Sequence, residues 1–292
     1  MKKFLLKACK HVRPKWLAAL IFSGAAILTI FQVFQNLQPQ INELTIEISD
    51  PNWPTKGLKL AVLGDLHLHQ DEKEYAKLTV LLKEVTSAKP DLVAFVGDYT
   101  AEPSEIMNMQ RHRRRLIRLI KSVQPTPYVA ILGNYETYSV HHRWLMEATS
   151  QRMNLIDNDI QMISTKAGDI CVRGLGDAYT KHFEFKPFPE ACEKIGKLTI
   201  THDPAGAFEP NMHGLIIAGH THCGQVSFPF IGPLWVPTKA PKDAHCGLYQ
   251  DKERTLFVTS GVGTSLLPIR FGAQAQWDLL QINGTASRQT DG

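Results

Sequence analysis

The sequence predicts an α/β fold of layered sheets and helices, preceded by an N-terminal membrane helix. From about Leu58 onward, short β-rich apolar runs that end in Gly or a turn residue alternate with longer polar stretches, the pattern of buried strands in a layered sheet-and-helix domain. Between the first two runs, Tyr75, Leu78, Leu81, Leu82 and Val85 stand at helical spacing. Ahead of them all, nineteen residues pass without a charge.

That uncharged stretch, Trp16 to Phe34, reads "WLAALIFSGAAILTIFQVF", close to the ~20 residues that cross a bilayer as a helix. Lys2, Lys3, Lys7, Lys10, Arg13 and Lys15 precede it with no acid among them. The following "FQNLQPQIN" offers no convincing small-residue cleavage site, so residues 1–42 read as a basic flank and uncleaved anchor rather than a signal peptide. The basic flank predicts the N-terminus inside and the bulk of the chain on the outer face of the cytoplasmic membrane. A segment lying only in the interface would leave the domain cytosolic. The formal net charge of +4 owes much to this flank, and no nucleic-acid partner is expected.

Residues 43–57 read as a linker. The strand-like runs beyond it are "LKLAVLG", "DLVAFVG", "PYVAILG", "KLTITHD", "GLIIAG" and "TLFVTSG". Helices are expected over 72–88 and 104–123. The second carries "RHRRRLIRLIK", which reads as a solvated helix face; attraction of lipid headgroups or of a phosphorylated substrate is the competing reading. With 292 residues and 43% apolar content, the chain can bury a sizeable core. One domain is expected over 58–283, with a frayed tail at 284–292. The five cysteines are odd in number and form no C-x-x-C pair, so they decide neither compartment nor function.

Polar residues fall directly after the apolar runs. "LGDLHLH" ends the first with Asp65 and His67, "VGDYT" the second with Asp98, and "LGNYE" the third with Asn134; "ITHD" supplies His202 and "AGHTH" supplies His220 and His222. In open α/β sheets such positions converge on one crevice outside the carboxyl ends of the strands. Each residue alone could cap a helix or shape a turn, but seven together suit Mn, Fe, Zn or Ni, with Mn preferred. Seven side chains exceed one tetrahedral ion, and two ions sharing Asp98 fit better. Two divalent cations, two carboxylates and one hydroxide leave a single net positive charge, which attracts phosphate. Ions about 3.5–4 Å apart can stabilise both the attacking and leaving oxygens of an in-line displacement.

In this order "GDLHLH", "VGDY", "LGNYE", "THD" and "GHTHCGQ" resemble the signature of the calcineurin-like metallophosphoesterases, and "GHTHCGQVSFPFIGP", "CGLY" and "SGVGTSLLPIRFG" are similar to its membrane-associated bacterial YaeI/YkuE-like phosphodiesterase branch. The resemblance implies a four-layer α/β/β/α sandwich. It implies that Asp65, His67 and His222 hold the first metal, that Asp98 bridges, and that Asn134, His202 and His220 hold the second. Catalytic roles are carried over to Asp98, His220 and, by position, Tyr135. It also implies hydrolysis of a phosphodiester or pyrophosphate by metal-bound hydroxide. Combined with the anchor, this points to a lipid-linked substrate. The sharpest version is a UDP-2,3-diacylglucosamine pyrophosphatase of lipid A biosynthesis, which would require a cytosolic domain because UDP-sugars are cytosolic. A non-catalytic binding module on the same fold is the rival, and the complete ligand set speaks against it.

Two departures from the family matter. Its usual Gly-Asn-His-Asp/Glu is here Gly133, Asn134, Tyr135, Glu136, so the histidine expected to assist the leaving group is missing. Tyrosine, with a pKa near 10, donates a hydrogen bond but is a weaker acid, which favours good leaving groups and anhydrides. Superfamily members that split the nucleotide diphosphate of a lipid A precursor also lack this histidine. His69, Tyr138, His141, His142 and His213 are candidate stand-ins. The second departure is Cys223 where the branch has glycine. It reads as a free, small buried hydrophobe at negative φ rather than a thiolate ligand.

Overall fold

The computed structural model describes residues 37–101 and 109–285, together with 23–24 and 33–34. Most of the expected anchor and the last residues of the tail lie outside these described residues. Among the described residues no helix is long and apolar enough to cross a membrane.

Two sheets stack face to face. The first contains β1 (Gln40–Ile48), β2 (Leu58–Leu63), β3 (Leu92–Phe95), β4 (Tyr128–Ala130) and β13 (Gln276–Gly284), in the order β1-β13-β2-β3-β4. The second contains β5 (Asp159–Ser164), β6 (Asp169–Gly174), β7 (Gly196–Ile200), β8 (Gly214–Ala218), β11 (Gly247–Gln250) and β12 (Arg254–Val258), in the order β11-β12-β8-β7-β6-β5. All six apolar runs read from the sequence are strands. They are apolar throughout because both faces are covered. In β2, for example, Ala61 and Leu63 face the helices while Leu58, Leu60 and Val62 face the second sheet.

Residues 40–48, assigned from sequence to the end of the anchor and the linker, form strand β1, which pairs in parallel with β13. Its period-two pattern, with Leu44, Ile46 and Ile48 separated by Thr45 and Glu47, buries Ile46 and Ile48 between the sheets. The folded domain therefore begins before residue 58.

Three helices, α1 (Glu72–Ser87), α2 (Met109–Lys121) and α3 (Asn134–Ser150), cover the outer face of the first sheet. Asp71 caps α1 by accepting the Lys73 N–H at 2.8 Å. The arginine-rich α2 is not simply a solvated face. Arg113 is buried, Arg114 pairs with Glu147 of α3, and Arg115 pairs with Glu72 of α1 while lying over the Tyr75 ring. Much of that charge joins helix to helix.

The outer face of the second sheet departs from the expected α layer. Its apolar cluster, including Leu175, Met212, Ile216, Leu256 and Val258, is covered by 3₁₀ turns at Pro204–Phe208 and Lys242–Ala244 and by Phe183 and Phe185. Pro187, Pro189, Pro204 and Pro210 interrupt these covering segments, and proline removes the N–H that a continuing helix needs.

Candidate metal centre

The carboxyl ends of β2, β3, β4, β7 and β8 meet at one edge of the stacked sheets, and the short turns beyond them carry all seven residues expected as ligands. Asp65, His67 and His222 offer ligand atoms that all lie within 4.8 Å of one another, and so do Asp98, His202 and His220. Asn134 joins the second group, its Oδ1 standing 3.1 Å from His202 Nε2. Asp98 lies between the groups, with Oδ2 3.5 Å from His67 Nε2 and 3.3 Å from His202 Nε2. All seven are buried.

Close backbone stitching builds this convergence. Asp65, His67, Asp98, His220 and His222 all adopt left-handed φ values between +43° and +70°, a conformation that costs non-glycine residues energy and that clusters at functional sites. The Asp65 N–H donates to Gly97 O, the His67 N–H to Asp98 O, and the Gly219 N–H to His202 O. Asp65 also receives the His220 N–H at 3.0 Å, and Asp98 Oδ1 receives the Tyr135 N–H at 3.0 Å. Glycine is required at 133, where a Cβ would sit 2.2 Å from Asp98 Oδ1.

The donor set fits divalent ions. His202 directs Nδ1 at Val96 O, 2.7 Å away, and His220 directs Nε2 at Pro237 O, 2.6 Å away. Donating to these carbonyls leaves the opposite ring nitrogen facing the cluster, the orientation that carbonyl partners impose on metal-binding histidines. His67 and His222 bring their Nε2 atoms within 3.0 Å of each other. Burial drives His67 down to about 4 and His222 well below the usual histidine range, so both rings are neutral at pH 7 and able to offer a lone pair. Burial raises the Asp65 carboxyl to about 7. It works the same way on Asp98, but the neighbouring His202 outweighs it and holds Asp98 at about 2. Burial opposes protonation of His202 as well, yet Asp98 and Asp65 raise it well above the usual value. Such a buried concentration of acids calls for positive charge.

Tyr135, Tyr138, Tyr179, Leu234, Trp235, Leu266 and others wall a cavity of about 430 Å³ above Asp98, Asn134, His220 and His222. The Tyr135 ring meets His67 edge-on at 4.6 Å and its hydroxyl lies 3.1 Å from Ser265 Oγ. Of the candidate stand-ins, only Tyr138 lines this cavity. His69 pairs with Glu74 on the surface, His141 binds Asp157 together with His182, His142 is exposed, and His213 borders a different cavity.

Cys223 corrects the sequence reading. It is disulfide-bonded to Cys246 and sits at φ +51°, so it is neither free nor at negative φ. It is not a thiolate ligand. Cys171 and Cys192 form a second disulfide. Three residues of the site had no role in the sequence reading. Glu136, fully buried, accepts the N–H groups of Asp98, Tyr99 and Gly133; its signal was the capping-box spacing at the start of α3. Arg270, also fully buried, lies 3.0 Å from His222 Nδ1 and donates to Ser260 Oγ and to Gly263 O; its signal was a lone charge in an apolar stretch. The Tyr179 ring lies tilted against His220 at 4.8 Å, with no signal in the sequence.

Comparison with known proteins agrees with this geometry. The chain is 25% identical over 237 residues to the uncharacterized metallophosphoesterase YkuE of Bacillus subtilis (strain 168), covering 78% of this chain and 80% of that one. It is 24% identical over 233 residues to the phosphodiesterase YaeI of Escherichia coli (strain K12), covering 77% and 82%. It is 24% identical over 264 residues to the UDP-2,3-diacylglucosamine pyrophosphatase LpxG of Chlamydia muridarum (strain MoPn / Nigg), covering 71% and 78%. The calcineurin-like phosphoesterase profile matches residues 58–224, a span that contains every one of the seven candidate ligand positions, and the chain therefore belongs to that family of metal-dependent phosphoester hydrolases.

Proposed function

We propose that the chain is a membrane-anchored phosphohydrolase that uses two divalent ions, Mn foremost, to cleave a phosphodiester or pyrophosphate bond in a lipid-linked substrate. The observation that carries this reading is Asp98, whose one carboxylate oxygen is within 3.5 Å of a histidine from each ligand group. Two bound ions supply Lewis acidity and a nucleophile from water near neutral pH. Asp98 spaces the two groups, while Asn134, His202 and His220 hold one side and Asp65, His67 and His222 the other. The Tyr135 hydroxyl, beside Ser265 at the cavity wall, is placed to donate a hydrogen bond to a phosphoryl or leaving-group oxygen. With Cys223 in a disulfide, the donor set is imidazole, carboxylate and amide oxygen, which suits Mn, Fe, Zn or Ni.

The lipid-linked substrate rests on the uncharged stretch at 16–34, and the basic flank favours a catalytic domain outside the cytoplasm. Two disulfides within the domain support the same side, because such bonds persist in oxidising compartments. A UDP-2,3-diacylglucosamine pyrophosphatase is the second reading. Tyr135 favours it, because a phosphate leaving group needs less acid assistance than an alkoxide. The disulfides weigh against the cytosolic domain it requires.

The test is hydrolysis of bis(p-nitrophenyl) phosphate by the purified full chain. Activity is expected to vanish with EDTA, to return with Mn, and to be abolished in Asp98→Ala and His222→Ala. Turnover that is indifferent to EDTA would overturn the reading. A reporter fused after Gly292 separates the two sides of the membrane.

A further inference from the structure

Two loops stand over the mouth of the metal-centre cavity with large apolar side chains turned to solvent. One, at 228–236, exposes Phe230, Ile231, Leu234 and Trp235, and the other, at 264–269, exposes Leu266 and Leu267. Phe230 is fully exposed, and Leu266 and Ile231 are 82% and 78% exposed. A contiguous apolar patch of this kind marks a contact surface.

The patch is built rather than frayed. Gln225 Nε2 donates to Ser265 O and Leu267 O, each at 2.9 Å, and the Ser227 N–H donates to Phe271 O, so one loop is tied to the other. Strands β9 (Ser227–Phe228) and β10 (Gly232–Pro233) pair at the base of the first loop. Leu234, Trp235, Leu266 and Leu267 also line the cavity whose floor is Asp98 and Asn134. The apolar surface therefore continues from solvent into the cavity above the ligand cluster.

Charge and chain path indicate what covers it. Residues 225–242 and 255–277 contain no Asp or Glu, while the exposed Lys239 and Lys242 flank the first loop, with one exposed acid, Asp243, directly beyond them. An acid-free apolar surface with lysines at its margin suits anionic headgroups above acyl chains. Leu37, Gln38 and Pro39 line a neighbouring cavity together with Thr264 and Pro268, and Gln274 Nε2 donates to Gln38 O at 2.6 Å. The chain thus enters the domain beside the second loop, with only Gln35 and Asn36 between the uncharged stretch and Leu37.

We propose that these two loops dock into the anionic bilayer face and admit a phosphate-bearing lipid headgroup to the cavity while its acyl chains stay against the loops. This rests on the lipid-linked reading of the same site. The occupant is the bilayer itself.

The test reconstitutes the full chain in vesicles of phosphatidylethanolamine and phosphatidylglycerol and compares it with the double variant Phe230→Asp/Ile231→Asp. Neither residue lines the cavity, so hydrolysis of soluble bis(p-nitrophenyl) phosphate should stay within about twofold, which also reports folding. Tryptophan quenching by brominated acyl chains, measured with and without Trp235→Phe to isolate Trp235, should be strong in the parent and lost in the double variant. KM for a vesicle-embedded phospholipid should rise at least about tenfold. Equal Trp235 quenching in both proteins, or none in the parent, overturns the docking. A parent that is dimeric while the variant is monomeric, with no quenching in either, assigns the surface to a second copy and also overturns it. Quenching lost in the variant, with no phospholipid hydrolysis by either protein, upholds the docking and removes the lipid-linked substrate instead.

Discussion

Glu136 holds Asp98 from behind. Its Oε2 accepts the Asp98 N–H at 2.9 Å and the Gly133 N–H at 3.0 Å, and its Oε1 accepts the Tyr99 N–H at 2.9 Å. Both oxygens must therefore be acceptors, and Glu136→Gln would turn an amide NH₂ against buried N–H donors. An unsatisfied buried group costs about 1–3 kcal/mol. The variant is expected to melt earlier and to bind its second ion roughly tenfold more weakly, since supporting groups of this kind tune metal affinity by about 10–100-fold. Mn titration with metal analysis checks this. Two-ion binding as tight as the parent's would show that Glu136 does not position the bridge.

Tyr135 separates a polar role from a packing role. Its ring lies edge-on to His67 and its hydroxyl reaches Ser265 within the cavity wall. Tyr135→Phe keeps the ring and removes only the hydroxyl. Turnover of bis(p-nitrophenyl) phosphate is expected to fall at least about tenfold, the low end of what a hydrogen-bond donor to developing charge contributes, while two ions per chain remain. An unchanged rate with intact metal content would assign Tyr135 to packing alone.

The convergence of the seven candidate residues was legible because each follows directly on an apolar run, so strand and turn are written side by side in the sequence. What stayed hidden depends on distant partners. Strand β1 shows its own alternation but pairs with β13, whose residues lie 236 positions later, and it follows closely on a far stronger apolar signal. Arg270 reaches His222 across 48 positions; its place as a lone charge in an apolar stretch marks it as unusual but does not name its partner. The disulfides were equally hidden, because cysteine spacing does not determine connectivity. Among the described residues the outer α layer is missing, as Pro187, Pro189, Pro204 and Pro210 foretell, but the family resemblance pointed the other way.

The disulfide beside His222 predicts a redox effect on the metal centre. Cys223 and Cys246 close a loop with a separation of 23, worth roughly 3 kcal/mol in the chain-entropy account. Cys223→Ser/Cys246→Ser is expected to lower the melting temperature and to release metal faster to a chelator. At φ +51° a side chain carries a penalty of roughly 1–2 kcal/mol that glycine escapes. Cys223→Gly/Cys246→Ser should therefore recover part of both losses. Equal metal release from parent and both variants would mean that the bridge does not support the His220–His222 turn.

Asp278 makes a prediction away from the metal centre. It is fully buried, and burial pushes its carboxyl up to about 6, against hydrogen bonds from Thr259, from Asn42 at 2.8 Å and from Gln276 at 2.6 Å that favour the charged form. The unfolded chain titrates this group near 3.9. Because the folded value is the higher one, the stability that the proton confers is fully present below about 3.9 and is lost as pH rises through about 6. At pH 7.5 the folded protein carries an ionised carboxylate at a cost of up to about 3 kcal/mol. Asp278→Asn keeps an oxygen for Asn42 and Gln276 and removes that charge. Its melting temperature should exceed the parent's by roughly 5–10 °C at pH 7.5, and the two should converge toward pH 4. A difference that does not change between those pH values would show that the titration of Asp278 is not linked to folding.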